Sequence, residues 1–325
     1  MIEGFIVKVP IKWAMVGGEK GSQIGYIHRS AALRDDHFKL VAGAFDLDLT
    51  KALALAKTLH VAEDRCYPNY QTMYEQEQKR ADGIQAVTIA TPNGTHYQIC
   101  KAILAANLHI FCEKPLCFSL AEATELLTLA RVKQRIFAMA YGYSGHQMIE
   151  QARAMIAAGE LGEIRMLKME FAHGFHSKAI EDTNPSIKWR VTPEIVGPSY
   201  VLGDLATYTL FLSQMMAPQL KIKKLLCKRK SFVKSRAPLE DSAHVLMEYE
   251  TGAIGSLWAS CVNAGSMHGQ IIRVIGSKAS LEWWDERPNQ LRYEIQGKPV
   301  QNIGTRDALF RSASSNGRSN WGWPC

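Results

Sequence analysis

Over its first 142 residues the chain exchanges strand-like for helix-like segments in a steady rhythm, and that rhythm restricts the fold more than any other feature. Residues 12–16 form a short apolar run that reads as a strand, followed by a glycine turn and a helix over about 24–33. A second strand is expected over 38–45, then helices over 49–59 and 70–79, the latter with Asn69 near its start. Strands over 83–90, 108–112 and 136–141 alternate with helices over 96–106 and 120–130. Ser119 with Glu122 three residues on has the form of a capping box. Such alternation predicts an α/β domain with a parallel, doubly wound sheet. After Gly142 the rhythm changes. A helix over 147–158 stops at Gly159, and longer strand-like stretches follow over 164–172, 221–228, 243–249, 255–261 and 270–275. Thr251-Gly252 reads as a hairpin turn, and 202–216 as a helix set among the strands. A second, α+β domain with a mostly antiparallel open sheet is expected there. The boundaries are 1–142 for the first domain, 143–303 for the second, and 304–325 for an irregular tail.

The turn after the first strand carries Gly17, Gly18, Gly21, Ile24 and Gly25. It is not a clean G-x-G-x-x-G, because it holds an insertion. Its context supplies what the pattern lacks: it follows a strand and opens a helix in the first βαβ unit. Glycines let a backbone approach a pyrophosphate, and a helix N-terminus favours its charge. Asp46 ends the second strand, where an acid binds the ribose 2′-hydroxyl of a dinucleotide. The same residue would equally serve as a helix cap. Thr91, Pro92, Asn93 and His96 lie past the next clear strand, and they suit either a structural turn or the rim of the same crevice.

Glu113, Lys114 and Pro115 follow the strand over 108–112. A lysine at the carboxyl end of a strand in an open α/β sheet stands where such sheets bind ligands. The proline after it fixes φ and removes a donor, which stiffens the turn. This combination points to a nicotinamide enzyme with a lysine at its centre.

Charge and cysteine usage remove several classes. With 38 basic and 31 acidic residues the net charge is +7. Eight basic residues at 221, 223, 224, 228, 229, 230, 234 and 236 have no acid among them. A nucleic-acid patch is one reading. The other is a solvated strand pair with Leu225, Leu226 and Phe232 turned inward, and no aromatic interleaving or nucleic-acid motif favours the first. The seven cysteines are odd in number, scattered, and form no C-x-x-C, which reads as reduced thiols in a cytoplasmic protein. No run of about 18 apolar residues suggests a membrane span. The first eight residues lack the order of a signal peptide. His173 and His176 have metal-ligand spacing, but with no third ligand nearby a polar loop is expected and no metal. His176, Trp189 and Arg190 are candidates for touching substrate hydroxyls.

The succession of glycine turn, Thr91-Pro92-Asn93 with His96, and Glu113-Lys114-Pro115 resembles the Gfo/Idh/MocA oxidoreductases. Inositol dehydrogenases, glucose–fructose oxidoreductase and related sugar dehydrogenases belong to that family. Tyr141-Gly142-Tyr143 looks like its join between domains, and the stretch 159–164 like its entry into the second sheet. Gly203-Asp204-Leu205-Ala206-Thr207-Tyr208 resembles its D-x-G-x-H helix, and 276–282 its late turn. The likeness runs over roughly residues 10 to 295. It implies a Rossmann domain that binds NAD, with NADP as the alternative, and a sugar or polyol substrate. It also implies a homodimer or homotetramer with no nucleic-acid or membrane partner. In its terms Lys114 contacts the nicotinamide ribose and the reacting hydroxyl, and Asp204 is the acid of the second motif. Tyr208 stands where most members have histidine, although glucose–fructose oxidoreductase-like members also use tyrosine there, and Ala206 replaces the usual glycine. Tyrosine has a pKa of about 10 against about 6.5 for histidine. A lysine ammonium nearby would favour tyrosinate. Two functions follow. One is a dehydrogenase acting on a secondary alcohol through Lys114, Asp204 and Tyr208. The other is a catalytically inactive nucleotide-binding sensor that has lost the histidine. The Ser/Asn/Gly/Arg-rich tail lacks periodicity, and a truncated or non-native end is expected there.

Overall fold

The computed structural model describes residues 9–305, without the side chains of residues 185 and 186. The expected tail lies outside the described residues from residue 306 onward, and Gly304 itself ends a strand. The chain divides into two compact units. One runs to Ala140 and takes in Thr192–Pro198; the other comprises Tyr141–Val191 and the chain from Ser199.

The first unit holds β1 (Ile11–Gly17), α1 (Gln23–Ala32), β2 (Phe38–Ala44), α2 (Leu49–Thr58) and α3 (Tyr70–Glu77). It continues with β3 (Ala86–Ala90), α4 (His96–Ala105), β4 (His109–Cys112), α5 (Leu120–Val132) and β5 (Phe137–Met139). All five strands are parallel, in the order β2-β1-β3-β4-β5. Successive residues of β1 serve opposite faces. Ala14 and Val16 join one buried cluster with Val87 and Ile110, while Trp13 and Met15 join another with Phe45 and Leu55. Helices therefore cover both faces, as a parallel sheet requires. Capping was legible in the sequence. The Ser119 hydroxyl and Glu122 complete the capping box of α5, and Asn69 accepts from Thr72 N at the start of α3. Strand order reverses direction between β1 and β3, so the crevice of this sheet opens outside the carboxyl ends of those two strands.

The second unit carries α6 (Gln147–Ala157), β6 (Ile164–Ala172), the short α7 (Pro185–Lys188) and, past α8 (Pro193–Val196), α9 (Thr207–Met216). Then come β7 (Ile222–Lys230), β8 (Ser242–Tyr249), β9 (Ile254–Ser260), β10 (Gln270–Gly276), β11 (Ala279–Trp284), β12 (Gln290–Ile295) and β13 (Gln301–Gly304). The strands form one sheet in the order β13-β12-β11-β10-β6-β9-β8-β7. Every pairing is antiparallel except β6 with β9. Gly252, in the left-handed region at φ +87°, makes the β8–β9 hairpin turn. α9 lies on β6 and β10, and α6 on β11 and β12. Leu167, Met169, Phe171, Ile272, Val274, Leu281 and Trp283 are buried on that covered face.

Two expectations about this sheet need correction. Leu225, Leu226 and Phe232 are not turned inward. β7 is an edge strand beyond the reach of α6 and α9, and all nine of its residues are exposed. The stretch 276–282, read as a late turn, runs into β11, and the residues after it, for which no element was expected, supply β12 and β13.

Candidate functional site

In the first unit the site is built from strand ends. β1 runs into Gly17 and Gly18, at φ +78° and +74°, conformations that a side chain resists. A Cβ on Gly17 would lie 2.4 Å from Ala90 O. One on Gly25, in the first turn of α1, would lie 2.5 Å from Gly18 Cα. The turn is therefore packed backbone on backbone. Ser22 caps α1 by accepting from Gly25 N at 3.0 Å, and no acid sits in the first helical turn. This is a cradle of N–H groups at the positive end of a helix, and it fits a pyrophosphate. Gly21, at φ +89°, and the partly exposed Ile24 complete the turn. Buried Arg29 braces it from beneath, its Nη1 donating to Gly18 O at 2.8 Å. Burial lowers the Arg29 pKa from its ordinary value, against the charge of Glu19. A guanidinium fixed in this way is committed to the turn and not to a cofactor phosphate.

Asp46 follows the end of β2. It is Asp48 that caps α2, accepting from Thr50 N at 2.9 Å and Lys51 N at 3.3 Å. Asp46 stands outside that cap and accepts from Asp48 N at 2.9 Å. Past β3, Thr91, Pro92 and Asn93 lead into α4, with the Thr95 hydroxyl 2.7 Å from both Thr91 Oγ1 and Pro92 O. His96 is fully buried. Its Nδ1 lies 2.7 Å from Pro115 O and its Nε2 2.8 Å from Thr91 O. Burial lowers the pKa of this imidazole while the two carbonyls oppose the shift. The ring thus ties the β3 and β4 end loops together, and its contribution to a site is made through them. Glu113 is fixed by His28, whose Nε2 is 2.9 Å from Oε1, and its Oε2 accepts from Lys114 N at 3.2 Å. The His28 ring stands edge-on to Phe111, with centroids 5.2 Å apart. Lys114, half-buried at the end of β4, belongs to this braced turn.

In the second unit Leu202–Ala206 forms a π-helical stretch that runs directly into α9. Such stretches are rare and often mark functional positions. It carries Asp204, and Tyr208 lies one turn on. The start of this segment is held by Glu240, whose buried Oε1 accepts from Ser199 Oγ at 2.6 Å and from Tyr200 N and Leu202 N at 3.1 Å. Tyr208 sits in a nest of rings, with centroids 4.9 Å from Tyr143, 5.8 Å from Tyr141 and 6.0 Å from Phe171. Two histidines feel the charge of Asp204. His173 is buried and pushed down to about 4 by burial and by His176, with Asp204 opposing. His176 is lowered by burial and by Arg190, again against Asp204, and its Nδ1 meets the Tyr200 hydroxyl. The Arg190 guanidinium stacks over the Trp189 ring at 4.4 Å. Asp204, His176 and Arg190 therefore share one electrostatic neighbourhood.

Residues 143, 268 and 285 belong to the same nest; Tyr143 was read from the sequence only as part of the join between domains, and His268 and Asp285 were not singled out. The Tyr143 Oη is 3.2 Å from His268 Nε2, and His268 Nδ1 meets Asp285 Oδ2. These three positions come from three separate segments, and no spacing links them. Among the described residues no group of three or more His, Cys, Asp or Glu could hold a metal ion, and no helix is long and apolar enough to cross a membrane.

Known proteins share this fold. The family model described as "Oxidoreductase family, NAD-binding Rossmann fold" matches residues 11–141, and the one described as "Oxidoreductase family, C-terminal alpha/beta domain" matches residues 153–309. The chain is 55% identical over 300 residues to the oxidoreductase YfiI of Bacillus subtilis, covering 92% of this chain and 76% of that one. An inositol dehydrogenase homologue from Azotobacter vinelandii, solved with NAD+, superposes with a TM-score of 0.90 at 64% identity, over 91% of this chain and 76% of that chain. Its structure with NADH and myo-inositol gives a TM-score of 0.87 at 63% identity, over the same shares. The doubly wound sheet with its glycine cradle, the mostly antiparallel second sheet and these matches place the chain in the Gfo/Idh/MocA family of oxidoreductases.

Proposed function

We propose that the protein is an NAD-dependent dehydrogenase that oxidises a secondary alcohol of a polyol or sugar, or reduces the corresponding ketone. The observation that carries this reading is the glycine cradle with Asp46 standing outside the helix cap beside it. The N–H groups of the cradle and α1 would hold the pyrophosphate, Asp46 the adenosine ribose, and Thr91, Asn93 and Lys114 the nicotinamide end. When bound, NAD+ supplies the hydride acceptor. The chain's own residues handle the hydroxyl. Lys114 orients it through its ammonium group, Asp204 accepts a hydrogen bond from the substrate, and Tyr208 takes the proton. His176, Trp189 and Arg190 offer donors and an apolar ring to the remaining hydroxyls. That a homologue 63% identical was solved with NADH and myo-inositol makes cyclic polyols the first substrates to test. The test is NAD+ reduction over a panel of polyols and sugars. Tight NAD binding with no turnover on any of them would favour the sensor function instead, for which Tyr208 in place of histidine is the motive.

The cofactor preference has its own test. A carboxylate at 46 accepts from a ribose 2′-hydroxyl and repels a 2′-phosphate. A hydrogen bond to a charged group contributes about 1.5–3 kcal/mol, so Asp46→Ser is expected to weaken NAD binding about 10- to 100-fold and to move preference toward NADP. Titration of both cofactors by fluorescence measures it. A wild-type protein that prefers NADP would remove Asp46 from this role.

We further propose a homodimer or homotetramer built on the uncovered face of the second sheet. Met247 and Leu257 are buried on the covered face and do not contribute. The outer face carries exposed Leu226, Leu246 and Ile254, and the His244 ring stacks on Trp258 with centroids 5.6 Å apart. Exposed apolar side chains grouped on one sheet face mark a candidate contact surface. Light scattering of the purified protein is expected to give a dimer or larger species, and a monomer at micromolar concentration would contradict it.

A further inference from the structure

A tyrosine at 208 raises a chemical question that a histidine would not. A phenol near neutral pH already carries its proton, so it takes one from a substrate only by giving its own away. The second unit sets further polar groups next to Tyr208. Tyr143 stands edge-on to Tyr208, with centroids 4.9 Å apart, and its hydroxyl is 3.2 Å from His268 Nε2. His268 Nδ1 meets Asp285 Oδ2, while Asp285 Oδ1 accepts from Gln270 N at 3.1 Å at the start of β10. A carboxylate oxygen is an acceptor, so Nδ1 carries the ring proton and Nε2 of the neutral imidazole is left to accept. Tyr143 is then the donor to His268. Once His268 is protonated, both its nitrogens donate and the Tyr143 hydroxyl must turn its proton the other way. The Phe171 ring backs both ends of this group, 4.8 Å from His268 and 6.0 Å from Tyr208.

We infer that Tyr143, His268 and Asp285 form a proton relay for Tyr208, with His268 as the acceptor that the helix position lacks. The inference rests on the alcohol-oxidation reading above. As the hydride leaves carbon for the nicotinamide, the substrate O–H bond breaks and a Tyr208 O–H bond forms. The original Tyr208 proton passes to Tyr143 Oη, and the Tyr143 proton to His268 Nε2. An imidazolium facing the Asp285 carboxylate results, and it releases its proton to water after turnover. The other groups around the nest do not replace it. His173 is pushed down to about 4, and His176 and His146 are lowered by burial. Tyr143 itself is raised by burial and by Tyr208, Asp285 and Asp204, so it conducts a proton and does not rest as a phenolate.

The test compares wild type with His268→Ala, Tyr143→Phe and Asp285→Asn on a polyol that the wild type oxidises. Each is expected to lower kcat by about 10²–10⁴, the range for a positioned acid–base group, with KM for NAD+ unchanged. Added imidazole is expected to restore part of the His268→Ala rate, which a merely structural residue would not allow. Should His268→Ala not fold, Tyr143→Phe, which removes a single oxygen, carries the same expectation. Wild-type kcat in the variants, or a loss that imidazole leaves untouched, overturns the relay while the dehydrogenase reading stands. A wild type that oxidises no alcohol in the panel takes both down.

Discussion

Replacing Lys114 with alanine is expected to lower kcat by about 10²–10⁴ and to leave the melting temperature nearly unchanged. Two of the contacts that hold the turn carrying Lys114 use backbone atoms of the turn and not the lysine side chain. Glu113 accepts the backbone N–H of residue 114 at 3.2 Å, and buried His96 meets the carbonyl of Pro115 at 2.7 Å. Both contacts survive in the variant, so the loss falls on turnover. A companion measurement asks whether Lys114 and Tyr208 serve the same proton transfer. Tyr208→Phe is expected to cut the rate with little loss of NAD affinity, and the double variant to be scarcely slower than the worse single one. Residues acting as a unit are strongly non-additive. Independent, multiplying losses would separate their roles, and an active Lys114→Ala protein would remove the lysine from the mechanism altogether.

The second large effect is expected at Gly25. A methyl group there would sit 2.5 Å from Gly18 Cα and 2.8 Å from Gly18 O, and both are backbone atoms that no rotamer change can move aside. Relief requires α1 to shift away from the turn, which loosens the N–H cradle. Overpacking of this kind costs about 1–3 kcal/mol. Gly25→Ala should therefore unfold at lower temperature and bind NAD about 10- to 100-fold more weakly. Gly21→Ala is the comparison, since a Cβ there meets nothing within 4 Å and only its φ of +89° resists the change. Equal NAD affinity in Gly25→Ala and wild type, by calorimetry, would show that the turn does not carry the pyrophosphate.

How much of this was legible in the sequence depends on range. Local signals were readable. The apolar runs of β1, β3 and β4 and the caps at Ser119 and Asn69 mark the elements of the first unit to within a few residues. The glycine turn was readable in spite of its insertion, because its place between strand and helix matters more than its spacing. The strands from β11 onward were harder. Their outer face is a ladder of charges, with Arg273 3.4 Å from Glu282 and Arg292 2.5 Å from Glu294, which hides the alternation a half-buried strand normally shows. The π-helical stretch at Asp204 has no sequence signature, since the 202–216 segment reads as one helix. The Tyr143–His268–Asp285 chain was invisible for a different reason. It exists only where a loop, a strand entry and a strand exit converge, and tertiary structure alone brings them together.

The basic run that first suggested a polyanion partner has another consequence where β7 lies. This strand borders an eight-stranded sheet, and every residue from Ile222 to Lys230 is exposed. Its outer side offers a row of backbone donors and acceptors to any extended chain that drifts past, including another copy of itself. Lys223, Lys224, Lys228, Arg229 and Lys230 line that border. Lys223 pairs with Glu248 at 3.2 Å and Arg229 with Glu240 at 3.5 Å, so a second identical strand would chiefly bring its own Lys224, Lys228 and Lys230 against their counterparts. The repulsion acts as a gatekeeper that keeps the sheet finite, at positions where threonine or valine would pair more readily and invite aggregation.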